Sequence, residues 1–505
     1  MKKRTILSPN RLMLTIGLLL MGLIFAHAQT FIGTTGNQLW SDPNNWLDGL
    51  MPSNDFSAVT ISADVIVDED VSIGMLYNSG NYSLTIKEGK KLTSNASIVW
   101  GDENDFILED KAQLVCRNPI KVTVKKRIRA YDEDTHSWDL IASPVEDDIV
   151  PSIENGFLTD PETGYALFSF DEATAQWTNF KESPFVIENG KGYLYANALD
   201  TTLMFEGKTA GAVAGYGLSY NASNGALAGC NIMGNPLPCN AFIDRSYYIF
   251  SEESNSVIAV AFSMNRPVAP CTGVIVQSEG IDDYSVWFDN GVSEQPENHG
   301  YIEITATKSN APTLALDQSI ISFNTGDDLA KYHFFENSPH VYFSQGSHDL
   351  AIISIDSTDM QPLRFKAEKD GSYTLHFELR DLDLDYLQLI DNLTGSRQDL
   401  LANPNYTFNA LTSDYASRFK LVFDPHYSID ENGIEPFAYV SNESIIINDV
   451  ETQLLASLQI IDLTGRVIIN SEAKQSISTK GIAPGVYVLR LNTPNAVRIQ
   501  RVVID

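Results

Sequence analysis

The chain has 505 residues, with 34 Lys and Arg against 65 Asp and Glu, a formal net charge of −31 at pH 7. A surface of that sign repels phosphate backbones, which excludes nucleic acid as a partner; it suits a soluble protein or one that gathers divalent cations. The length is too great for a single core and sets an expectation of about three or four domains.

The first 28 residues read as a cleavable secretory signal. Lys2, Lys3, Arg4 and Arg11 make a basic start, and an apolar run of 15 residues follows from Leu12 to Ala26. A membrane span needs ~20 such residues, so the run is too short for an anchor. Ala26 and Ala28 put small side chains at the two positions a signal peptidase reads, with cleavage expected before Gln29. No second stretch is long enough to span, so no transmembrane segment is expected in the mature chain. That chain keeps 30 Lys and Arg against 65 Asp and Glu, a net charge of −35.

From residue 29 onward the predicted elements are strands. Runs such as Val65-Ile66-Val67, Tyr82-Ser83-Leu84-Thr85-Ile86 and Tyr373-Thr374-Leu375-His376-Phe377 are short, rich in β-branched and aromatic residues, and bounded by Gly, Asn, Asp and Pro. The expected fold class is all-β and multi-domain. Residues 29–130 open on Trp40-Ser41-Asp42-Pro43-Asn44-Asn45-Trp46 and continue as short strands between turns. This opening resembles the W-x-x-x-x-N-W starts of repetitive β-domains in large bacterial surface proteins. The resemblance implies a β-helix or solenoid, with a sandwich as the alternative. Trp40 and Trp46 would cap the end of such a stack, or offer a platform for sugars.

Residues 131–310 read as an internal duplication forming a two-lobed β-domain. Trp138 to Val145 matches Cys230 to Leu237 in pattern, Gly190 to Tyr195 lines up with Pro270 to Ile275, and Leu203 to Gly207 pairs with Val286 to Gly291. Pro144 and Pro236 should each follow a buried strand, and Phe205 and Phe288 should each point into a core. Residues 311–428 read as a β-sandwich whose clearest strands begin at Leu363, and a linker with Pro425, Asn432-Gly433 and Pro436 follows.

Residues 437–505 hold three ordered landmarks: Asp462-Leu463-Thr464-Gly465-Arg466 at a tight turn, Pro484-Gly485-Val486-Tyr487 feeding a strand, and a basic-flanked last strand from Arg498 to Ile504. The sequence is similar to the C-terminal sorting domain of the Por (type IX) secretion system. The resemblance implies recognition by outer-membrane secretion machinery and a location outside the cell or on its surface, reached through the periplasm. It makes Asp462, Gly465, Arg466, Pro484, Gly485 and Tyr487 the sorting landmarks. In that family a β-sandwich commonly precedes the sorting domain, which fits 311–428, and phrases like those at Ser143-Pro144 and Gly190-Lys191-Gly192-Tyr193 recur without known chemistry.

Chemistry is sparse. No G-x-S-x-G elbow, H-E-x-x-H, phosphate loop or EF-hand loop occurs, so no catalytic or cofactor-binding residue is expected. Four cysteines allow three pairings, and Cys230 with Cys239, flanking a Gly/Pro-rich segment, is the expected disulfide. Asp381, Asp383 and Asp385 alternate with Leu382 and Leu384, which would align three carboxylates on one strand face as a weak calcium candidate. His333, His340 and His348 are close in sequence but irregularly spaced, and read as surface residues. The expected function is a non-enzymatic surface protein acting in adhesion, in contact with glycan or a host or matrix surface, or in surface structure. The alternative is a secreted hydrolase of polysaccharide or protein with an unrecognised site in the middle domain.

Overall fold

Short β-branched and aromatic runs between turn formers favour strands over helices. The computed structural model of the protein is accordingly all-β, its described residues forming strands and brief 3-10 turns. It describes residues 28–424 and 437–504, apart from 53, 133–137, 252–255, 292–299, 310–315, 324, 334–337, 347, 357–359, 442–443, 448–456, 463–464, 473, 475 and 493–496. The basic signal region and Ala26 therefore lie outside the described residues, while Ala28 and Gln29 lie in the first strand. The chain divides into two compact units, one comprising 1–300, 312–314 and 325–334, the other 301–311, 315–324 and 335–505.

The first unit opens with a parallel solenoid, the first of the two architectures its opening implied. One face stacks β1 (Ala28–Phe31), β2 (Ala58–Ile61), β4 (Val71–Asn78), β6 (Lys91–Val99) and β8 (Gln113–Val115). The other stacks β3 (Val65–Val67), β5 (Leu84–Ile86), β7 (Phe106–Leu108) and β9 (Lys121–Ile128). Period-two alternation sends every second side chain inward. Val67, Ile86, Leu108 and Val124 thereby fall in register as one buried column. Each such residue contributes roughly 1.5–3 kcal/mol of apolar burial. Trp40 and Trp46 are buried at the start of the stack, edge to face at 4.7 Å, and the Trp46 indole N–H donates to the Trp40 carbonyl at 2.8 Å. They cap the solenoid and offer no platform to solvent.

Two four-stranded antiparallel sheets follow. The first lobe contains β10 (Asp139–Ala142), β11 (Tyr165–Asp171), β12 (Gln176–Asn179) and β13 (Gly192–Asn197), in the order β10-β13-β11-β12. Strand β14 (Thr201–Lys208) then returns antiparallel to β9. The second lobe contains β15 (Val213–Gly217), β16 (Cys230–Gly234), β17 (Phe242–Ile243), β18 (Tyr247–Ser251), β19 (Ser256–Val260), β20 (Gly273–Gln277) and β21 (Ser285–Asp289). Its sheet runs β16-β20-β18-β19, and β21 pairs antiparallel with β15 and β17. The strand order is thus the same in both lobes.

Their contacts are also reciprocal: the Ala142 N–H donates to the Cys271 carbonyl at 3.2 Å, and the Gly234 N–H donates to the Gly190 carbonyl at 3.0 Å. Pro144 and Pro236 each follow the first strand of their sheet, and Phe205 and Phe288 are fully buried. The ladders set Gly192 opposite Ala142 and Gly273 opposite Gly234. Gly192 therefore matches Gly273, one residue away from the alignment of the glycine phrases in sequence. One core runs from Phe31 through Cys271 without a break near 130, and a second, from Ala210 to Phe288, fills the later lobe.

All four cysteines are buried and free, which corrects the expected Cys230–Cys239 bond. Extended β16 carries Cys230 away from Cys239: Cys230 faces Gln277 across the ladder, beside the Tyr332 hydroxyl, whereas Cys239 packs among Leu237, Ala241 and Ile243.

In the second unit a continuous path of strands from Tyr301–Lys308 to Phe419–Val422 encloses a core reaching from Ile302 to Leu421. The C-terminal part has its own core, Phe437 to Ile504, between a three-stranded and a four-stranded sheet.

Candidate functional sites

The C-terminal landmarks meet at one end of the four-stranded sheet. Strand Ser457–Asp462 pairs antiparallel with Val467–Glu472 on one side and with Gly485–Asn492 on the other, and Val497–Ile504 closes the sheet as an edge. Asp462 works as the lock of its turn: its carboxylate accepts from the Arg466 backbone N–H at 3.0 Å and from the Arg466 guanidinium at 3.1 Å. Gly465 holds φ at +88°, a conformation that costs a residue with a Cβ. Tyr487 lies directly opposite Asp462 in the ladder, and its hydroxyl donates to the Ala483 carbonyl at 2.8 Å, closing the Pro484-Gly485 turn. Asp462, Gly465, Arg466 and Tyr487 thus build two adjacent turns on one sheet end. Arg466 is left largely exposed there, and Val497 and Ile499 are exposed on the last strand.

A concave site among the described residues is a cleft of about 870 Å³ in the second lobe, lined in part by Tyr220, Arg245, Ser246, Asp283 and Asp327. Arg245 grips Asp283 with two bonds, at 2.8 and 3.0 Å, and donates to the carbonyls of Gln277 and Ser285. Burial works against the Asp283 charge, but the Arg245 bonds prevail and hold its carboxyl below the usual range. Asp327 moves the other way: burial raises it against hydrogen bonds from the Ser246 backbone and hydroxyl. The cleft therefore pairs a carboxylate whose oxygens are both occupied with a carboxyl that keeps its proton to higher pH. The second could donate that proton; the first is committed to Arg245.

The acidic triplet does not form a site. Asp381, Asp383 and Asp385 are exposed in a coil after strand Gly371–Arg380, where Leu382 and Leu384 turn toward the core. The alternation is real, but no strand carries it, and among the described residues no group of three His, Cys, Asp or Glu is placed to hold a metal. This corrects the calcium candidate. His340 is buried against Glu368 at 2.8 Å, contrary to its reading as a surface residue, and His348 is exposed.

An aromatic surface went unnoticed in the sequence. Phe168, Phe170 and Trp177 point from the outer face of the first lobe, with Trp138 beside them: ring centroids lie 6.0 Å apart for Trp138–Phe168, 6.4 Å for Phe168–Trp177 and 5.1 Å for Phe170–Trp177. The signal available was Phe168-Ser169-Phe170, whose alternation puts both rings on one face of β11.

Comparison with known proteins places a secretion-system C-terminal sorting domain at residues 441–505. The protein is thus marked for secretion to the cell surface or the extracellular space, which implies engagement of the type IX machinery. Among the described residues no helix is long and apolar enough to cross a membrane. A curated relative, the minor fimbrium subunit Mfa5 of Porphyromonas gingivalis, is 24% identical over 164 residues, 32% of this chain. The match covers 13% of the length of that relative.

Proposed function

We propose that this is a non-enzymatic protein of the bacterial surface with an adhesive or surface-structural role. The observation that carries the reading is the sorting domain at 441–505; the partial likeness to a fimbrium subunit agrees with it. Its export begins at the N-terminal signal, with cleavage before Gln29. That cut leaves Gln29, Thr30 and Phe31 paired with β2, so the solenoid keeps its first strand. The modules it displays are the solenoid, a middle domain made by duplication, a β-sandwich and the sorting domain. Support for the duplication comes from the shared strand order and the reciprocal Ala142–Cys271 and Gly234–Gly190 bonds.

Protease treatment of intact cells of a type IX-competent host should remove the protein, and a strain lacking it should attach to surfaces or to neighbouring cells less well. Unchanged attachment would sink the adhesive reading. A hydrolase is the second reading, favoured by the raised Asp327 carboxyl in the cleft. It would displace the first if purified protein cleaved polysaccharide or protein and Asp327→Asn abolished that cleavage.

A further inference from the structure

The two lobes treat the same face differently. On the second lobe the outer face of β16-β20-β18 carries Cys230, Gln277, Ser246 and Tyr248. The chain segment Asp327–Tyr332 lies across it. The Tyr248 hydroxyl donates to the Ala330 carbonyl at 2.6 Å, the Ala330 N–H donates to the Gln277 side-chain oxygen at 2.9 Å, and the Tyr332 ring sits 5.7 Å from that of Tyr248. Asp327 anchors the start of the segment on Ser246. Tyr248 is 2% exposed beneath it.

The ladders identify the equivalent positions on the first lobe. Phe168 faces Leu194 as Tyr248 faces Ile275, and Phe170 faces Trp177 as Phe250 faces Val257. Cys230, Gln277, Ser246 and Tyr248 accordingly become Trp138, Ala196, Ala166 and Phe168. Val257, 7% exposed, becomes Trp177, 47% exposed. Tyr248 and Gln277, whose side chains satisfy the covering backbone on the second lobe, are replaced by Phe168 and Ala196, which carry no polar group, while Ser246, which holds the Asp327 side chain, becomes Ala166 and Cys230 becomes Trp138. A polypeptide laid here would lose those partners and leave its buried backbone groups unpaired. The face has instead gained aromatic area.

A sugar ring suits what remains. One face of a pyranose is a sheet of C–H bonds with partial positive charge, complementary to the negative face of an aromatic ring, while its hydroxyls point outward around the rim. Strand β12, at the free edge of the sheet, offers main-chain groups beside Trp177. The chain's strong negative charge selects a neutral partner over an anionic one. We propose that the stripe formed by Trp138, Phe168, Phe170 and Trp177 is a contact site for neutral glycan. The proposal deepens the adhesive reading above, on which it rests, by naming the ligand class and the site.

The test uses the intact purified protein on an array of neutral and anionic glycans, followed by calorimetry with uncharged hexasaccharides that score on it. Wild type should bind neutral glycans. Trp177→Ala should weaken that binding about tenfold, equivalent to 1.4 kcal/mol, and Trp177→Phe should restore part of it. Tyr284→Ala, at an exposed ring outside the stripe, should leave binding unchanged. Preference for anionic glycans, no binding to neutral ones, or equal binding by Trp177→Ala overturns the proposal, as does a stripe that binds only protein segments. Failure on the array leaves the attachment assay standing. Loss of surface location would defeat the adhesive reading without altering the array.

Discussion

Arg418 is a charge kept inside a core. Its guanidinium donates to both oxygens of fully buried Asp391, at 2.8 and 3.1 Å, to the Asn409 carbonyl at 2.8 Å and to Asp414 at 3.2 Å, and it lies over the Phe408 ring at 4.6 Å. Breaking such a pair from one side strands the other charge, so Asp391→Ala should cost about 3–5 kcal/mol. Burial pushes the Asp391 carboxyl up, but the hydrogen bonds and charge of Arg418 outweigh it and hold the group below the usual carboxylate range. A depressed folded pKa gives stability that is complete above the unfolded value and is lost as pH falls through the folded one. The gap in melting temperature between wild type and Asp391→Asn should therefore stay constant from pH 7 to about 4, near the unfolded carboxylate value, and narrow only below it. A gap already closing at pH 6 would contradict this. Nothing local in the sequence joins residues 27 apart, so this pair was invisible there, whereas the adjacent Asp381, Asp383 and Asp385 drew notice for an alternation that solvates them.

At the scale of elements, the lobes show one turn built from two residue types. Gly190 and Cys271 occupy matching positions before β13 and β20, both with positive φ, +81° and +57°. At Gly190 a Cβ would come within 2.2 Å of the Tyr216 ring. Gly190→Ala should therefore cost more than the roughly 1–2 kcal/mol of left-handed strain alone. Cys271→Ala keeps a Cβ already tolerated and breaks no disulfide, so it should be the milder change. Hydrogen exchange across β13 and β20 in the intact protein would rank them, and the reverse ranking would count against equivalent turns. In the sequence the two lobes are proposed from the order of their landmarks, Pro144 with Pro236 and Phe205 with Phe288, because several Pro and Phe residues compete at each position and only their order selects a pair. The alignment of Gly190 to Tyr195 with Pro270 to Ile275 sets Tyr193 opposite Gly273, and the ladders move the match by one residue to Gly192. Whether residues 29–130 formed a solenoid or a sandwich could not be read from alternation, because both architectures bury every second residue. What separates them is parallel pairing between strands about twenty residues apart, as in Val67 with Ile86, and that lies beyond any local pattern.

For the whole molecule, the question is whether the sorting domain is cargo or address. Its core residues, among them Leu458, Ile460, Leu489, Leu491 and Ile504, pack with one another between its own two sheets. The described cores of the solenoid, the lobes and the sheet of the second unit that precedes 437 draw no residue from 437–505. Removing 437–505 therefore takes away one self-contained core and leaves the apolar burial of the others intact. In a host with the type IX machinery, the truncated chain should pass the inner membrane, fold and accumulate in the periplasm. Its remaining thermal transitions should match those of the full chain, and its surface display should be lost. Display that survives the deletion would show that export is addressed elsewhere. A truncated chain that is degraded or melts earlier would make the C-terminal sandwich part of the fold it is expected only to deliver.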